Sequence, residues 1–376
     1  HRVDGHLNTD GFVSTKISTL AIDPIAIDEI AWSRSDFVES YHATNLSKAV
    51  LPDKSIWESD GIDVPVDSEG LSVWVRPNRP YQLLTLTARL RDSSNNYFDL
   101  PIGQLYFKEW QNLSARFDSL DDITPTRRRA ANNKFRGIPT FSDLKQPYTL
   151  LALHLTSSAG IEEAGAIFVS DMTAYASTKQ TLLTDFTNTD NIHVIEDHTR
   201  PGLYDISHNT SVVRDPEAHS LRFGWAPGGN GLRGIRFGDP EAPIKSIVSH
   251  EILEQSNSRV GDVITLGMSS YSVPIKINAV AKYFPTLDPK SNPFVIVDRN
   301  SFEYYSNTHS HRITPGPTEI WGSFTTSDVT TDQMTDSLIQ SKITLPNIHF
   351  AQQFIEQSSA KPVKNASWGG LLILMF

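Results

Sequence analysis

The sequence predicts a mainly β protein with an α+β part: an antiparallel sandwich, then a smaller α+β unit. Three observations predict it. Short runs of alternating apolar and polar residues, punctuated by Gly, Pro, Asn and Asp, recur through the first half of the chain. After residue 243, strand patterns alternate with helix patterns. At 376 residues the chain is too long for one ordinary core, so two or more domains are expected.

Composition narrows the function classes. A net charge of -10, spread along the chain, argues against nucleic acid as a partner, because phosphate binding wants clustered Lys and Arg. Only Arg127, Arg128 and Arg129 cluster; beside Asn132, Asn133 and Lys134 they read as a solvated loop. With no cysteine there are neither disulfides nor thiol chemistry, and the redox compartment stays open. Residues 1–10 are polar and lack the apolar stretch of a signal peptide.

In order, residues 1–51 mix apolar runs at 20–25 and 27–32 with polar connections, which predicts two strands. Residues 71–76 read as a strand and 77–80 (Pro-Asn-Arg-Pro) as a turn. In 82–90, Leu84, Leu86, Ala88 and Leu90 alternate with Thr85, Thr87 and Arg89, the period of a half-buried strand. After a turn at 92–96, strands at 97–100 and 104–110 continue a meander. A polar, Arg-rich loop (118–147) leads to strands at 148–156 and 165–175. Residues 181–239 are irregular, with strand-like pieces "DFTNTDNIHVIED" and "SLRFGW" that fit either a connecting sheet or part of the sandwich. The expected division is a sandwich over 1–176, a β-rich connecting region over 177–242, an α+β unit over 243–367, and the start of a truncated transmembrane helix at 368–376.

The pieces "GAIFVSDMTAY" (165–175) and "LTARLRDSSNNYFDLPIG" (86–103) resemble the galactose-binding-like jelly rolls of carbohydrate-binding modules. Such sandwiches recur as structural inserts, so the resemblance alone does not imply sugar binding. Trp74, Tyr81, Tyr97 and Trp110, with Tyr106 nearby, are the candidate ligand-contact aromatics, because a sugar ring stacks on such side chains; core or rim packing is their commoner use.

Residues 243–305 carry the most ordered pattern. Residues 244–248 form an apolar run, Ser249 is a candidate N-cap, and 250–256 read as a helix with Glu251 in its first turn. Asn257 and Ser258 end that helix. Arg259 to Asp262 supply a turn in which Gly261 tolerates positive φ, and a strand starts at Val263. Val273, Ile275, Ile277 and Ala279 then alternate with Pro274, Lys276 and Asn278; Pro274 predicts an edge strand.

The succession "IVSHEILEQSNSRVGDVITL", hairpin, "IKINAVAKYFPTLDPKSNPFVIVD" and "RNSFEYY" resembles the extracytoplasmic core of FtsX/MacB-type ABC transporter permeases. It continues more loosely through 319–321 and the tail. The resemblance implies a non-catalytic module at the outer face of the cell membrane, hung between two spanning helices. It further implies a cognate ATPase subunit as partner, and a carbohydrate, lipid or lipoprotein as substrate. The apolar run Trp-Gly-Gly-Leu-Leu-Ile-Leu-Met-Phe (368–376) falls where the second span begins, although a full span needs about 20 such residues. Beyond residue 305 the expected elements are a polar loop (306–318), a strand (319–325) and helices at 331–342 and 351–358.

No residue earns a catalytic, cofactor or metal assignment. Gly229, Gly231 and Gly234 satisfy G-x-G-x-x-G, but Gly238, Pro240 and Pro243 leave no helix to receive a pyrophosphate. His250-Glu251 opens like a zinc-protease motif, yet Glu254 stands where the second His belongs. His193 with His198, and His309 with His311, are spaced for adventitious metal binding and read as exposed loop histidines. Asp118, Asp121, Asp122, Glu162 and Glu163 are neighbours along loops, which says nothing of the separation that acid and base catalysis requires. Neither a G-x-S-x-G elbow nor a Walker A loop occurs, so ATP hydrolysis would belong to another polypeptide or domain.

Overall fold

Apolar and polar alternation produces two kinds of sheet in this chain. A computed structural model describes residues 1–8, 14–25, 46–53, 60–120, 141–157, 163–198, 200–209, 211–214, 219–228, 232–284, 286–289 and 292–314, together with 319, 333 and 340. The chain is mainly β. One six-stranded sheet closes into a barrel from β1 (Arg2–Asn8), β2 (Ser14–Ile22), β15 (Ile244–Ser249), β16 (Val263–Gly267), β17 (Ser272–Ala281) and β18 (Phe294–Asp298), in the order β1-β16-β17-β15-β18-β2.

The intervening strands build a two-sheet sandwich. They are β3 (Ile62–Val64), β4 (Gly70–Pro77), β5 (Leu84–Arg91), β6 (Tyr97–Gln104), β7 (Gln111–Arg116), β8 (Tyr148–Ser157), β9 (Gly165–Ala176), β10 (Lys179–Thr184), β11 (Ile192–Val194), β12 (Tyr204–Asn209), β13 (Ser220–Trp225) and β14 (Arg233–Phe237). One sheet runs β12-β13-β9-β4-β7 with β10 on β9. The other runs β11-β14-β8-β5-β6 with β3 on β8. Barrel and sandwich both lie within the unit His1–Ile320.

The alternation in β4 and β5 faces Leu71, Val73, Val75, Leu84, Leu86 and Leu90 into the core between the sheets, where they meet Phe223 and Ile235. The expected strand at 104–110 is displaced: these residues connect β6 to β7, which pairs with β4 in the opposite sheet. Crossing between sheets takes the stretch out of either ladder. The expected connecting region, 177–242, divides its strands β10 to β14 between both sandwich sheets. The expected sandwich over 1–176 likewise loses its first two strands, since β1 pairs with β2 and β16, and β2 with β18. The pairings of β1 with β16 and of β2 with β18 span more than 250 residues, a distance at which sequence pattern carries no partner information.

Segment 243–305 forms strand, helix, hairpin, strand and helix in the order read from the sequence, with α2 at His250–Ser256 and α3 at Arg299–His309. A short α1 (Leu46–Val50) packs its Leu46, Ala49 and Val50 inward. Three local details differ from expectation. The Ser249 hydroxyl does not cap α2; it accepts from the Phe294 backbone N–H at 3.2 Å. Pro274 is not on an edge, because β17 lies between β16 and β15. Its missing N–H is tolerated because pairing with β15 begins only at Ile275. The polar loop expected from 306 starts later, since α3 continues to His309. Of the first apolar run, 20–25, only residues 20–22 lie in β2, which starts earlier, and β1 occupies residues read only as polar; 27–32 lies outside the described residues. So do the elements expected from 320 onward, the tail at 368–376 included.

α3 begins where Asp298 accepts from the Ser301 backbone N–H at 2.7 Å. Its Phe302 and Tyr305 pack into the barrel core with Leu7, Ile17, Ile275 and Val297. At the barrel's other turn, Gly261 has φ +102° and an added Cβ would meet nothing within 4 Å. Gly261→Val is therefore expected to destabilise through backbone strain alone, by about 1–3 kcal/mol. A urea titration checks this; an unchanged midpoint would mean that the turn does not need positive φ.

Candidate functional site

The outward face of the β11-β14-β8-β5-β6 sheet carries a polar set: Arg89 on β5, which sequence alternation assigns to solvent, with Asp99 on β6, His154 on β8 and Arg236 on β14. All but Asp99 are buried, and even Asp99 keeps only 26 % of its side-chain exposure. What covers them is the C-terminal end of α3. The Arg89 guanidinium donates to both Asp99 carboxylate oxygens at 2.8 Å, and its remaining nitrogen donates to the carbonyls of Asn307 at 2.5 Å and Ser310 at 2.6 Å. A sandwich side chain thus satisfies carbonyls that a helix end leaves open, and places a cation where the helix dipole favours one. Tyr97 and Leu151 of the sandwich pack on Tyr304 of α3 beside this contact.

Burial by itself would raise the Asp99 carboxyl, but the Arg89 guanidinium and the His154 imidazole hold it well below the usual carboxylate range. Burial pushes His154 down, favouring its neutral form. Because the folded-state value of Asp99 is depressed, its stabilisation is complete above the unfolded carboxylate value and is lost as pH falls through that range. Stability is expected to decline from about pH 5 downward, with a shallower slope in Asp99→Asn. Urea midpoints measured across pH check this; equal slopes would remove Asp99 as a contributor.

A second constellation lies on the same face. Glu241, on the return from β14 to β15, has Oε1 2.6 Å from Arg236 Nε and 2.8 Å from His309 Nε2. Its Oε2 lies 3.4 Å from His198 Nε2 and accepts from the Tyr305 hydroxyl at 3.5 Å. The His198, Glu241 and His309 ligand atoms fall within 4.8 Å of one another, a grouping able to hold a metal ion. Burial opposes the Glu241 charge, yet His309, His198 and Arg236 together keep its carboxyl well below the usual range. The His309 ring stacks on Tyr305 with centroids 3.9 Å apart and planes 4° from parallel. Arg236 also donates to the Asp239 carbonyl at 2.7 Å, and Tyr304 donates to buried Asp60 at 2.7 Å.

The two histidine pairs read from sequence are thereby split and recombined. His309 is buried at the end of α3, while His311 is exposed. His198 meets His309, while His193 sits on β11 with its ring partly buried. Glu241 had no sequence signal beyond being a carboxylate between two prolines. The candidate aromatics do not gather. Tyr81 is buried against Trp225 and donates to Asn78, and Tyr97 is buried under α3. Trp74 lies beneath the Arg214 guanidinium at 4.9 Å, and Trp110 is half-buried before β7. Gly234 sits within β14, where a Cβ would lie 2.2 Å from the Leu153 carbonyl, so it serves close strand approach; Gly229 and Gly231 lie outside the described residues. His250 faces Glu254 at 3.4 Å in an exposed pair on α2. Asp118 and Glu163 pair with Arg116 and Arg79 respectively, while Asp121, Asp122, Glu162 and the cluster Arg127 to Arg129 lie outside the described residues. No known protein family, curated protein or solved structure matches the chain.

Proposed function

We propose that the chain is the extracytoplasmic, non-catalytic part of an ABC transporter permease of FtsX/MacB type. In this reading it is anchored in the cell membrane and partnered by a separate ATPase. The observation that carries it is the ion pair between Arg2 and Glu319, with Nε and Oε1 2.5 Å apart. It puts the start of β1 beside the chain that follows α3, as a domain hung between two membrane spans requires. The joint supports the relay that this function needs: Arg89 ties the sandwich to α3 directly and Arg236 does so through Glu241 and His309, and α3 is seated in the barrel core, so a displacement of the barrel moves the sandwich with it. A carbohydrate, lipid or lipoprotein is the proposed substrate class. Among the described residues, no helix is long and apolar enough to cross a membrane.

A secreted carbohydrate-binding protein is the rival, and it has less behind it, because Tyr81 and Tyr97 are committed to packing and Trp74 is covered by Arg214. Fractionation of cells expressing the full-length gene product separates the two. The permease reading expects the protein in the membrane fraction, removable by protease added outside, and co-purifying with an ATP-hydrolysing subunit. Recovery as a free exported protein that binds to polysaccharide would overturn it.

A further inference from the structure

We propose that His198, Glu241 and His309 form a zinc site that clasps the sandwich to the barrel. The inference rests on the joint's geometry and holds whatever the protein's transport role. The three ligands come from three separate stretches: the link between β11 and β12, the return from β14 to β15, and the last turn of α3. An ion bound here would join elements that the chain connects only over long distances.

The donor set is two imidazole nitrogens and one carboxylate oxygen, which suits zinc better than magnesium or calcium, whose preference is for oxygen ligands. Tetrahedral zinc with bonds of about 2.0–2.1 Å places neighbouring ligand atoms about 3.3 Å apart. Glu241 Oε2 lies 3.4 Å from His198 Nε2, close to that spacing; His309 Nε2 lies 2.8 Å from the other carboxylate oxygen, Oε1, and the three ligand atoms fall within 4.8 Å of one another, so side-chain rotations close the site. His309 Nδ1 lies 3.1 Å from the Tyr305 carbonyl. Donation of its N–H to that oxygen leaves the Nε2 lone pair facing Glu241, the outer-shell arrangement typical of a metal-bound histidine. The Nε2 lone pair and Glu241 Oε1, 2.8 Å apart, have the Arg236 guanidinium beside them, 2.6 Å from Oε1. Neither Glu241 Oε1, His309 Nε2 nor Arg236 Nε achieves hydrogen-bond alignment here, despite their closeness and burial. Arg236 lowers the affinity for any cation, but it contacts Oε1 and leaves Oε2, the oxygen nearer His198, to the metal. His198 retains 24 % side-chain exposure, against 2 % for His309, so the ion and a fourth, water ligand would enter from the His198 side.

The test uses the intact protein without a histidine tag, stripped with a chelator. Zinc is titrated calorimetrically, and cobalt(II) is followed by visible absorption. One equivalent of zinc is expected to bind with a micromolar or tighter dissociation constant, to raise the melting temperature, and to be matched by the intense bands of four-coordinate cobalt. His198→Ala is expected to weaken zinc binding by more than about 100-fold, beyond the loss typical of an outer-shell partner, while the metal-free variant keeps the wild-type circular dichroism spectrum. Wild-type protein that binds no zinc overturns the proposal and leaves a histidine–carboxylate cluster held by protons. Equal affinity in His198→Ala overturns it too, by placing the metal elsewhere. If metal-free His198→Ala melts lower, the wild-type cobalt spectrum decides: four-coordinate bands uphold the site and their absence removes it.

Discussion

Arg89→Ala is expected to lower the stability of the protein by about 3–5 kcal/mol, the effect of breaking a buried ion pair and stranding its partner. The side chain is fully buried, and the substitution leaves Asp99 facing only His154, with the Asn307 and Ser310 carbonyls unsatisfied beneath the sheet. Stability alone does not locate the damage, so amide hydrogen exchange across 304–310 is the second measurement. Exchange there is expected to accelerate more than in the sandwich core strands β4 and β9, because Arg89 closes the end of α3. A variant with wild-type stability and unchanged exchange in that stretch would mean that the guanidinium is dispensable to the joint.

Phe302→Ala should cost a similar amount, about 3–5 kcal/mol, through lost burial and the cavity left in the barrel core. Phe302 is 1 % exposed and belongs to the same cluster as Leu7, Ile17 and Val297. The consequence reaches beyond the barrel, since α3 is held at its start by Asp298 and in its middle by this ring, while its end meets the sandwich. Tryptophan fluorescence, read from Trp225 buried in the sandwich after Phe replaces the other six tryptophans, distinguishes two outcomes. A single transition shifted to lower urea shows barrel and sandwich unfolding together. An unshifted Trp225 transition, with earlier loss of barrel signal in circular dichroism, would show that the joint does not couple them.

Much of the local structure was legible because it rests on short-range chemistry. The strands β4, β5, β8 and β9 begin and end within about two residues of their sequence patterns, since alternation reports directly which side chains face a core. Helix α2 ends as read, with Asn257 in the left-handed region at φ 49°, and Gly261 has the positive φ that its turn demands. The candidate site was legible only in fragments. His198 and His309 were each paired in the sequence analysis with a close neighbour in the chain, His193 and His311, because spacing along the chain was the only distance at hand.

The sequence by itself determined the strands β4, β5, β8 and β9, the order of elements over 243–305, and the apolar face of β5 and β17. Only the tertiary structure decided what lies against the other face. Arg89 stands at a position that alternation assigns to water, and the packing of α3 against that sheet makes it, with His154 and Arg236, a buried polar group that must find partners. Likewise residues 1–51 read as the opening of a sandwich until β16 and β18 claim β1 and β2 for the barrel. The physical reason is common to both. A period of two states that a strand has one face for a core, whereas the element that covers the other face is chosen by contacts between residues hundreds of positions apart.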